Sequence, residues 1–287
     1  MKNGINSRSI VDFFAKINPF DSHYRLVILN YHSISKDVKP TGDWVVCKED
    51  FDSQMKYLSD NKIETILLKD ISDLFLSDKS HKRPKRYACI TFDDGFEDNY
   101  INALPILDKY NIKASFFIVA ASLNDVKFSP YWIDQYPKQA KRLKFMSRQQ
   151  VLDLHFKGHE IGSHTLTHQN LNIMSPNTIK KELCDSKTII EKLLENSCTS
   201  LVLSFGVHGN KKKESIVKST GHEYKYICQG RYGYVTEKTF KENDLPRVPI
   251  YGNDSQKIFD GKIRGKYGFA SKLYTLVKRV RFYLKYI

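Results

Sequence analysis

The chain has 287 residues, of which 41% are hydrophobic and 13% aromatic. This length and composition allow one large core and exclude a chain that is disordered over long stretches. Its formal charge is +14 at pH 7, yet no nucleic-acid recognition motif accompanies that charge, so no nucleic-acid partner is predicted. The five cysteines show no CxxC spacing, which predicts unpaired thiols in a reducing compartment.

Short apolar runs alternate along the chain with helical patterns. The predicted strands span residues 26–30, 64–68, 87–92, 114–120, 159–163 and 201–205. The predicted helices span residues 51–60, 71–76, 100–110, 147–157, 175–195 and 211–219. Ser147 with Gln150 forms a capping-box pattern, and Ser175-Pro176 opens the fifth helix. Repeated strand–helix units predict a parallel sheet, and this many units predict its closure into a barrel.

Two adjacent carboxylates stand at the end of the third predicted strand, in Thr91-Phe92-Asp93-Asp94-Gly95. Such carboxylates repel each other unless a cation is bound there. Their side chains diverge, so one can bind a metal while the other faces a bound water. An Asp-Asp-Gly sequence alone is most often a solvated turn, but the buried strand before it favours a functional site.

Two histidines four residues apart, His164 and His168, follow the fifth predicted strand. On one side of a helical turn they can share a divalent ion with a carboxylate and leave a position open for water. This pattern predicts a hydrolytic metal site. A second pair with this spacing, His155 and His159, is interrupted by Gly158, and we interpret His159 as a structural histidine.

The chemically useful segments are predicted to meet at one rim of the barrel. His32, the pair Asp93-Asp94, His164 and the segment 205–208 each directly follow a strand-like run. In a β/α barrel these positions converge on the C-terminal face, where active sites are built.

With their surroundings, these segments resemble the polysaccharide deacetylase family, also called NodB-homology or carbohydrate esterase family 4. TFDDG is similar to its first motif, and GHEIGSHTLTH, residues 158–168, to its second. Residues 29–32 (LNYH) and 245–249 (LPRVP) resemble elements of the exopolysaccharide N-deacetylase branch, and the similarity extends from Val27 to about Ile250. The resemblance implies a single-domain, distorted β/α barrel with fewer than eight complete units.

The resemblance also implies roles for particular residues. It makes Asp93 the general base. The implied ligands of a divalent metal, with zinc the expected ion, are Asp94, His164 and His168. Thr165 is implied to brace the metal-binding loop by hydrogen bonding.

The chain departs from the family pattern in two places. Gly206 stands where a proline is expected in the third motif, and no late Leu-X-His segment supplies the usual catalytic acid. We interpret His32 as the candidate acid and His208 as the second choice. The alternative for His32 is a rim histidine bonded to a backbone carbonyl. Arg247 either orients the general base or forms a structural ion pair.

The substrate groove is predicted from four positions. A backbone N–H near Val207 would stabilise the developing oxyanion. His208 and Thr165 are predicted to lie beside it in the groove. Trp132 lies in an aromatic insertion, residues 121–145, whose rings either stack on sugars or cover the barrel.

The chain ends are predicted to lie outside a barrel of residues 23–255. The N-terminal extension, residues 1–22, has no apolar run long enough for a signal peptide, which predicts a cytoplasmic protein. The segment 256–287 carries nine Lys or Arg against one Asp, a net +8. Apolar residues recur at helical spacing from Phe269 onward. The pattern fits a basic amphipathic helix on the anionic inner face of a membrane, or a helix packed on the barrel.

Three functions are consistent with the sequence. The first is a metal-dependent N-deacetylase of an amino sugar in a cell-surface polysaccharide or its lipid-linked precursor. The second is a catalytically inactive relative that binds glycan in the same groove. The third is a basic nucleic-acid or membrane-binding protein with a structural metal site. Three good metal ligands without an obvious fourth favour a catalytic site.

Overall fold

The computed structural model describes residues 26–37, 43–76, 86–124, 144–206 and 224–268. In these ranges the strands, β1 to β10, are Leu26–Tyr31, Ser33–Ser35, Val45–Cys47, Glu64–Thr65, Tyr87–Phe92, Ser115–Ile118, Glu160–Ser163, Ser200–Val202, Tyr226–Tyr232 and Leu245–Pro249. The α-helices there, α1 to α7, are Lys48–Asp60, Ile71–Leu76, Leu104–Lys109, Arg148–Phe156, Pro176–Leu194, Glu237–Lys241 and Gln256–Ile263. Single turns of other helix types are Leu68–Asp70, Asn99–Ala103, Ala120–Leu123 and Leu171–Ile173.

Seven strands close into a parallel barrel. Their order is β1-β10-β9-β8-β7-β6-β5, and β5 pairs again with β1 from Leu26 opposite Tyr87 to Tyr31 opposite Phe92. The short β4 pairs with the start of β5, while β2 and β3 form a separate two-stranded sheet. The distorted barrel with fewer than eight units is therefore confirmed.

Apolar side chains fill the barrel from alternate strand positions, because successive residues of a strand point to opposite faces. One buried cluster contains Ile28, Cys89, Phe117 and Val202 from four of the barrel strands. A Cβ atom on Gly162 would lie 2.5 Å from the ring of Phe117, so glycine is required where that ring crosses the interior. A larger cluster lies between the strands and the helices. Four of the five cysteines, Cys47, Cys89, Cys198 and Cys228, are buried thiols.

The helix starts follow the predicted caps. The Ser147 hydroxyl accepts the N–H of Gln150, whose side chain accepts the N–H of Ser147, and Ser175 caps α5. The strand predicted over residues 64–68 is only two residues long, because the N–H of Leu68 turns to the Ser115 hydroxyl instead of a neighbouring strand. The predicted helix 211–219 lies outside the described residues.

The start of the segment 256–287 packs onto the barrel. Phe259 and Ile263, on α7, are buried, and the Phe259 ring meets Tyr57 of α1 edge-on at 5.7 Å. The remainder of that segment, and the extension 1–22, lie outside the described residues. Among the described helices, none has both the length and the apolar character needed to cross a bilayer.

Candidate active site

Three barrel strands deliver the candidate catalytic residues to one rim. His32 follows β1, Asp93 and Asp94 follow β5, and His164 follows β7. Oδ2 of Asp93 lies 3.9 Å from Nε2 of His32 and 4.0 Å from Nε2 of His164. The residues that the sequence separates by more than a hundred positions thus share one small site.

The side chains of Asp94, His164 and His168 form a buried group whose ligand atoms lie within 4.8 Å of one another. Oδ1 of Asp94 is 3.5 Å from Nε2 of His164 and 3.1 Å from Nε2 of His168. The two imidazole rings stand at 80° with centroids 4.6 Å apart. One carboxylate and two imidazoles are a donor set that suits a divalent ion such as zinc.

The position of the proton on the His164 ring indicates that the side chains of Asp94, His164 and His168 suit a bound cation. Its Nδ1 lies 2.9 Å from the carbonyl oxygen of Val202, which can only accept a hydrogen bond. Burial lowers the pKa of His164 to about 4, so the ring is neutral at pH 7 and carries its one proton on Nδ1. Nε2 therefore presents a lone pair to Oδ1 of Asp94. A metal ion stabilises two buried acceptors that face each other in this way.

Three of these loop positions have left-handed backbones. The φ angles of Asp94, Thr165 and His168 are 71°, 66° and 55°. Such angles are uncommon for residues other than glycine, and this kind of strain is concentrated at functional sites. The loops hold their side chains in place at the expense of local backbone stability.

Two side chains brace the loop between the histidines. The hydroxyl of Thr165, which is fully buried, accepts the N–H of His168 at 3.1 Å. Glu182 of α5 accepts the backbone N–H groups of Leu166 at 3.0 Å and Thr167 at 2.9 Å, and the Thr167 hydroxyl at 2.5 Å. Sequence reasoning missed Glu182. An acid among the apolar positions of an amphipathic helix is the signal that could have revealed it.

Arg247 holds Asp93 with two parallel hydrogen bonds. Nη1 donates to Oδ1 at 2.7 Å and Nη2 donates to Oδ2 at 2.6 Å. Burial alone would raise the pKa of Asp93, but the charge and hydrogen bonds of Arg247, together with the neighbouring histidines when they are protonated at low pH, outweigh burial, and the pKa is lowered from its usual value. Asp93 is thus ionised and fixed in direction, which supports an orienting role for Arg247.

His32 lies beside Asp93 at the mouth of the site. Its ring packs against that of Trp44 with centroids 4.6 Å apart. Burial lowers the pKa of His32, although the charges of Asp94 and Asp93 act against it, so the ring is neutral at pH 7. Nδ1 of His32 is buried without a hydrogen-bond partner among the described residues, which argues against a rim histidine tied to a backbone carbonyl.

The turn after β8 contributes an aromatic ring to the site. The ring of Phe205 meets that of His168 with centroids 5.1 Å apart. Gly206 has a φ of 66°, and a Cβ atom there would lie 2.6 Å from Cα of Gly230. Proline holds φ near about −65°, so it could not occupy position 206 with this backbone. The predicted groove residues that lie outside the described ranges are Trp132, Val207 and His208.

Comparisons with known proteins agree with this geometry. The family model for polysaccharide deacetylase matches residues 80–225. A provisionally named polysaccharide deacetylase of Bacillus subtilis (strain 168), YxkH, is 30% identical over 199 residues, which are 69% of this chain and 63% of that protein. The poly-beta-1,6-N-acetyl-D-glucosamine N-deacetylase of Staphylococcus aureus (strain MRSA252) is 30% identical over 247 residues, which are 84% of this chain and 78% of the relative.

Solved structures show the same fold. The Streptococcus pyogenes deacetylase PplD, determined in complex with acetate, aligns with a TM-score of 0.66 and 20% identity over 83% of this chain and 98% of its own. Because the family model spans Asp93, Asp94, His164 and His168, and the Staphylococcus aureus relative is 30% identical over 84% of this chain, the chain belongs to the polysaccharide deacetylase family.

Proposed function

We propose that this chain is a metal-dependent hydrolase that removes an N-acetyl group, or another N-acyl group, from an amino sugar of a cell-surface polysaccharide or its lipid-linked precursor. The observation that carries the proposal is the position of Asp93, an ionised carboxylate 4.0 Å from Nε2 of a metal-binding histidine. Catalytic metal sites keep one coordination position open, and three side chains meet in this group. The name of the Staphylococcus aureus relative supports an N-acetylated polysaccharide as the substrate.

Each residue of the site has a distinct task in this proposal. Asp94, His164 and His168 would hold a divalent ion, which would acidify a water molecule and polarise the amide carbonyl. Asp93 accepts the proton of the attacking water, because its carboxylate is ionised and lies at the same rim. Arg247 binds both carboxylate oxygens, so the base cannot rotate away from the water.

The leaving amine must be protonated before it departs. His32 is neutral, and its Nε2 faces Oδ2 of Asp93 at 3.9 Å. A proton taken up by Asp93 is therefore within reach of His32 through one water molecule. We assign His32 the role of passing that proton to the amine.

We further propose that the protein acts in the cytoplasm, with its basic segment 256–287 at an anionic membrane surface. The eight basic residues of this segment other than the buried Lys262 support the proposal, since each basic residue near such a surface contributes about 1 kcal/mol. Replacing Lys278, Arg279 and Arg281 by glutamine should weaken sedimentation of the full chain with phosphatidylserine vesicles. Equal sedimentation with neutral and anionic vesicles would contradict the placement of this segment at an anionic membrane surface.

The activity is tested by acetate release from N-acetylated sugars, including β-1,6-linked oligomers and polyprenyl-linked and nucleotide-linked sugars. Metal-loaded wild type is compared with Asp93→Asn and His164→Ala, and with His155→Ala on α4 as a matched histidine control. We expect turnover by wild type and the control, and none by the two site variants. If wild type binds metal and oligomers but releases no acetate, the inactive glycan-binding relative becomes the better assignment.

A further inference from the structure

Two aromatic rings extend outward from His32 along the rim. The ring of Trp44, in the turn before β3, lies 4.6 Å from that of His32 and 5.0 Å from that of Tyr251, which follows β10. Trp44 is 44% exposed, so core packing does not explain its presence beside the site. We call the rings of Trp44 and Tyr251 the aromatic ledge.

The ledge rests on a buried ion pair. Lys262 of α7, only 2% exposed, donates to the Asp254 carboxylate at 2.5 Å and to the carbonyl of Pro249 at 2.7 Å. The same carboxylate accepts the N–H of Tyr251 at 2.9 Å. The ammonium of Lys262 also lies 4.8 Å from the centre of the Tyr251 ring. Charge and backbone contacts thus fix Tyr251 at the rim.

Backbone hydrogen bonds join the ledge to the catalytic strand. The N–H of Gly252 donates to the carbonyl of Asp43 at 2.9 Å, next to Trp44 in the chain. The N–H of Ser33, which follows His32, donates to the carbonyl of Trp44 at 3.4 Å. The loops that carry His32, Trp44 and Tyr251 are therefore held as one unit.

The shape and chemistry of the ledge suit the face of a sugar ring. An aromatic face carries partial negative charge, and the axial C–H groups of a pyranose present partial positive charge to it. Rings with few rotatable bonds lose little conformational entropy on binding, which makes them effective anchors. The hydroxyl and amide groups at the sugar's edge can stay in water, because the ledge lies at the open rim.

We propose that the aromatic ledge binds the sugar next to the one that is deacetylated, so that the site prefers chains of two or more sugars. This inference rests on the proposed function and assigns the preference for chains to Trp44. In this proposal Trp44 contacts the neighbouring sugar, while Lys262 and Asp254 are positioning residues for Tyr251. The ledge adjoins His32, so a sugar bound there would direct its neighbour toward Asp93.

The test compares kcat/KM on β-1,6-linked N-acetylglucosamine chains of one to five sugars. We expect Trp44→Ala to lower kcat/KM for chains of two or more sugars about tenfold more than for the single sugar, mainly through KM. Trp44→Phe should retain most of the preference. Phe156→Ala, which removes a 78% exposed ring from α4, is the matched control and should change neither.

A binding measurement separates the ledge from the chemistry. The pentamer is titrated calorimetrically into Asp93→Asn, with and without Trp44→Ala. A tenfold weaker Kd with Trp44→Ala supports the ledge even if no sugar is hydrolysed, in which case the proposed activity alone fails. Equal Kd values, equal losses on single sugars and chains, or no binding of any chain overturn the ledge. Tighter Trp44-dependent binding of a nucleotide-linked sugar also overturns it, because a base would then be the occupant.

Discussion

The ion pair between Arg247 and Asp93 can be tested by removing one charge at a time. The two residues are 6% and 2% exposed, and their hydrogen bonds are 2.7 and 2.6 Å long. Arg247→Met keeps most of the side-chain volume but leaves the carboxylate buried without its counter-charge. Breaking a buried pair in this way costs about 3–5 kcal/mol. At about 2–4 °C per kcal/mol for a chain of this size, Tm should fall by about 6–20 °C.

The assay is thermal and urea unfolding in EDTA, so that no bound cation offsets the unpaired charge. The double variant Asp93→Asn/Arg247→Met carries neither charge, and we expect it to be more stable than Arg247→Met alone. Arg247→Lys keeps the charge but loses the paired geometry, so its loss should be smaller than that of Arg247→Met. Far-UV circular dichroism at 10 °C checks that each variant is folded.

Two results would refute the reasoning. One is an Arg247→Met protein within about 1 kcal/mol of wild type. The other is a double variant whose loss equals the sum of the single losses, because a coupled pair cannot behave additively. Activity gives an independent readout. The arginine lowers the pKa of Asp93, so its removal should shift the acidic limb of the pH–rate profile to higher pH.

Two further carboxylates give predictions of other kinds. Glu182→Ala removes the acceptor that braces the loop between His164 and His168, and it should weaken metal affinity about 10- to 100-fold in chelator competition. Asp185→Asn, on the same helix, is the control. Unchanged metal affinity of Glu182→Ala would contradict the bracing role. Glu160, which accepts the hydroxyls of Ser115 and Ser200, has a pKa raised above its ordinary 4.5 by burial. The fold favours the neutral form of Glu160 relative to the unfolded chain, so the stability of wild type relative to Glu160→Gln should fall as pH rises above 4.5. A pH-independent difference between their Tm values would rule this out.

Positions at strand ends were predictable from the sequence. The apolar run 87–92 ends abruptly in two acids, and the structure ends β5 at Phe92. Because parallel strands end at one rim, His32, Asp93 and His164 could be placed together without knowledge of any contact. The side-chain chemistry then indicated a metal.

Contacts between distant elements could not be predicted in this way. Glu182 reaches the loop at Leu166 only because α5 packs along β7, and helical periodicity gives a helix's buried face but not its partner. The ledge joins Trp44 to Tyr251 across more than two hundred residues, and single aromatic residues at such a separation form no pattern. These contacts depend on how the helices and loops pack, which the local sequence does not specify.

The role of Arg247 could be predicted only in part from the sequence. Every residue of β10 is buried, so its sequence shows no alternation of polar and apolar positions from which a face could be assigned. Leu245 belongs to the cluster inside the barrel, and residues two apart on a regular strand share a face. The pairing with β9 shifts register between Leu245 and Arg247, yet the side chain of Arg247 also enters the barrel, where it donates to Thr91 and Asp93. A buried cation inside the barrel requires an anionic partner, and the residue directly after β5, Asp93, supplies one at the same height along the barrel. The barrel's closure therefore brings Arg247 to Asp93, which supports the orienting role. It also explains why one of the two adjacent aspartates is held by an arginine while the other faces the histidines.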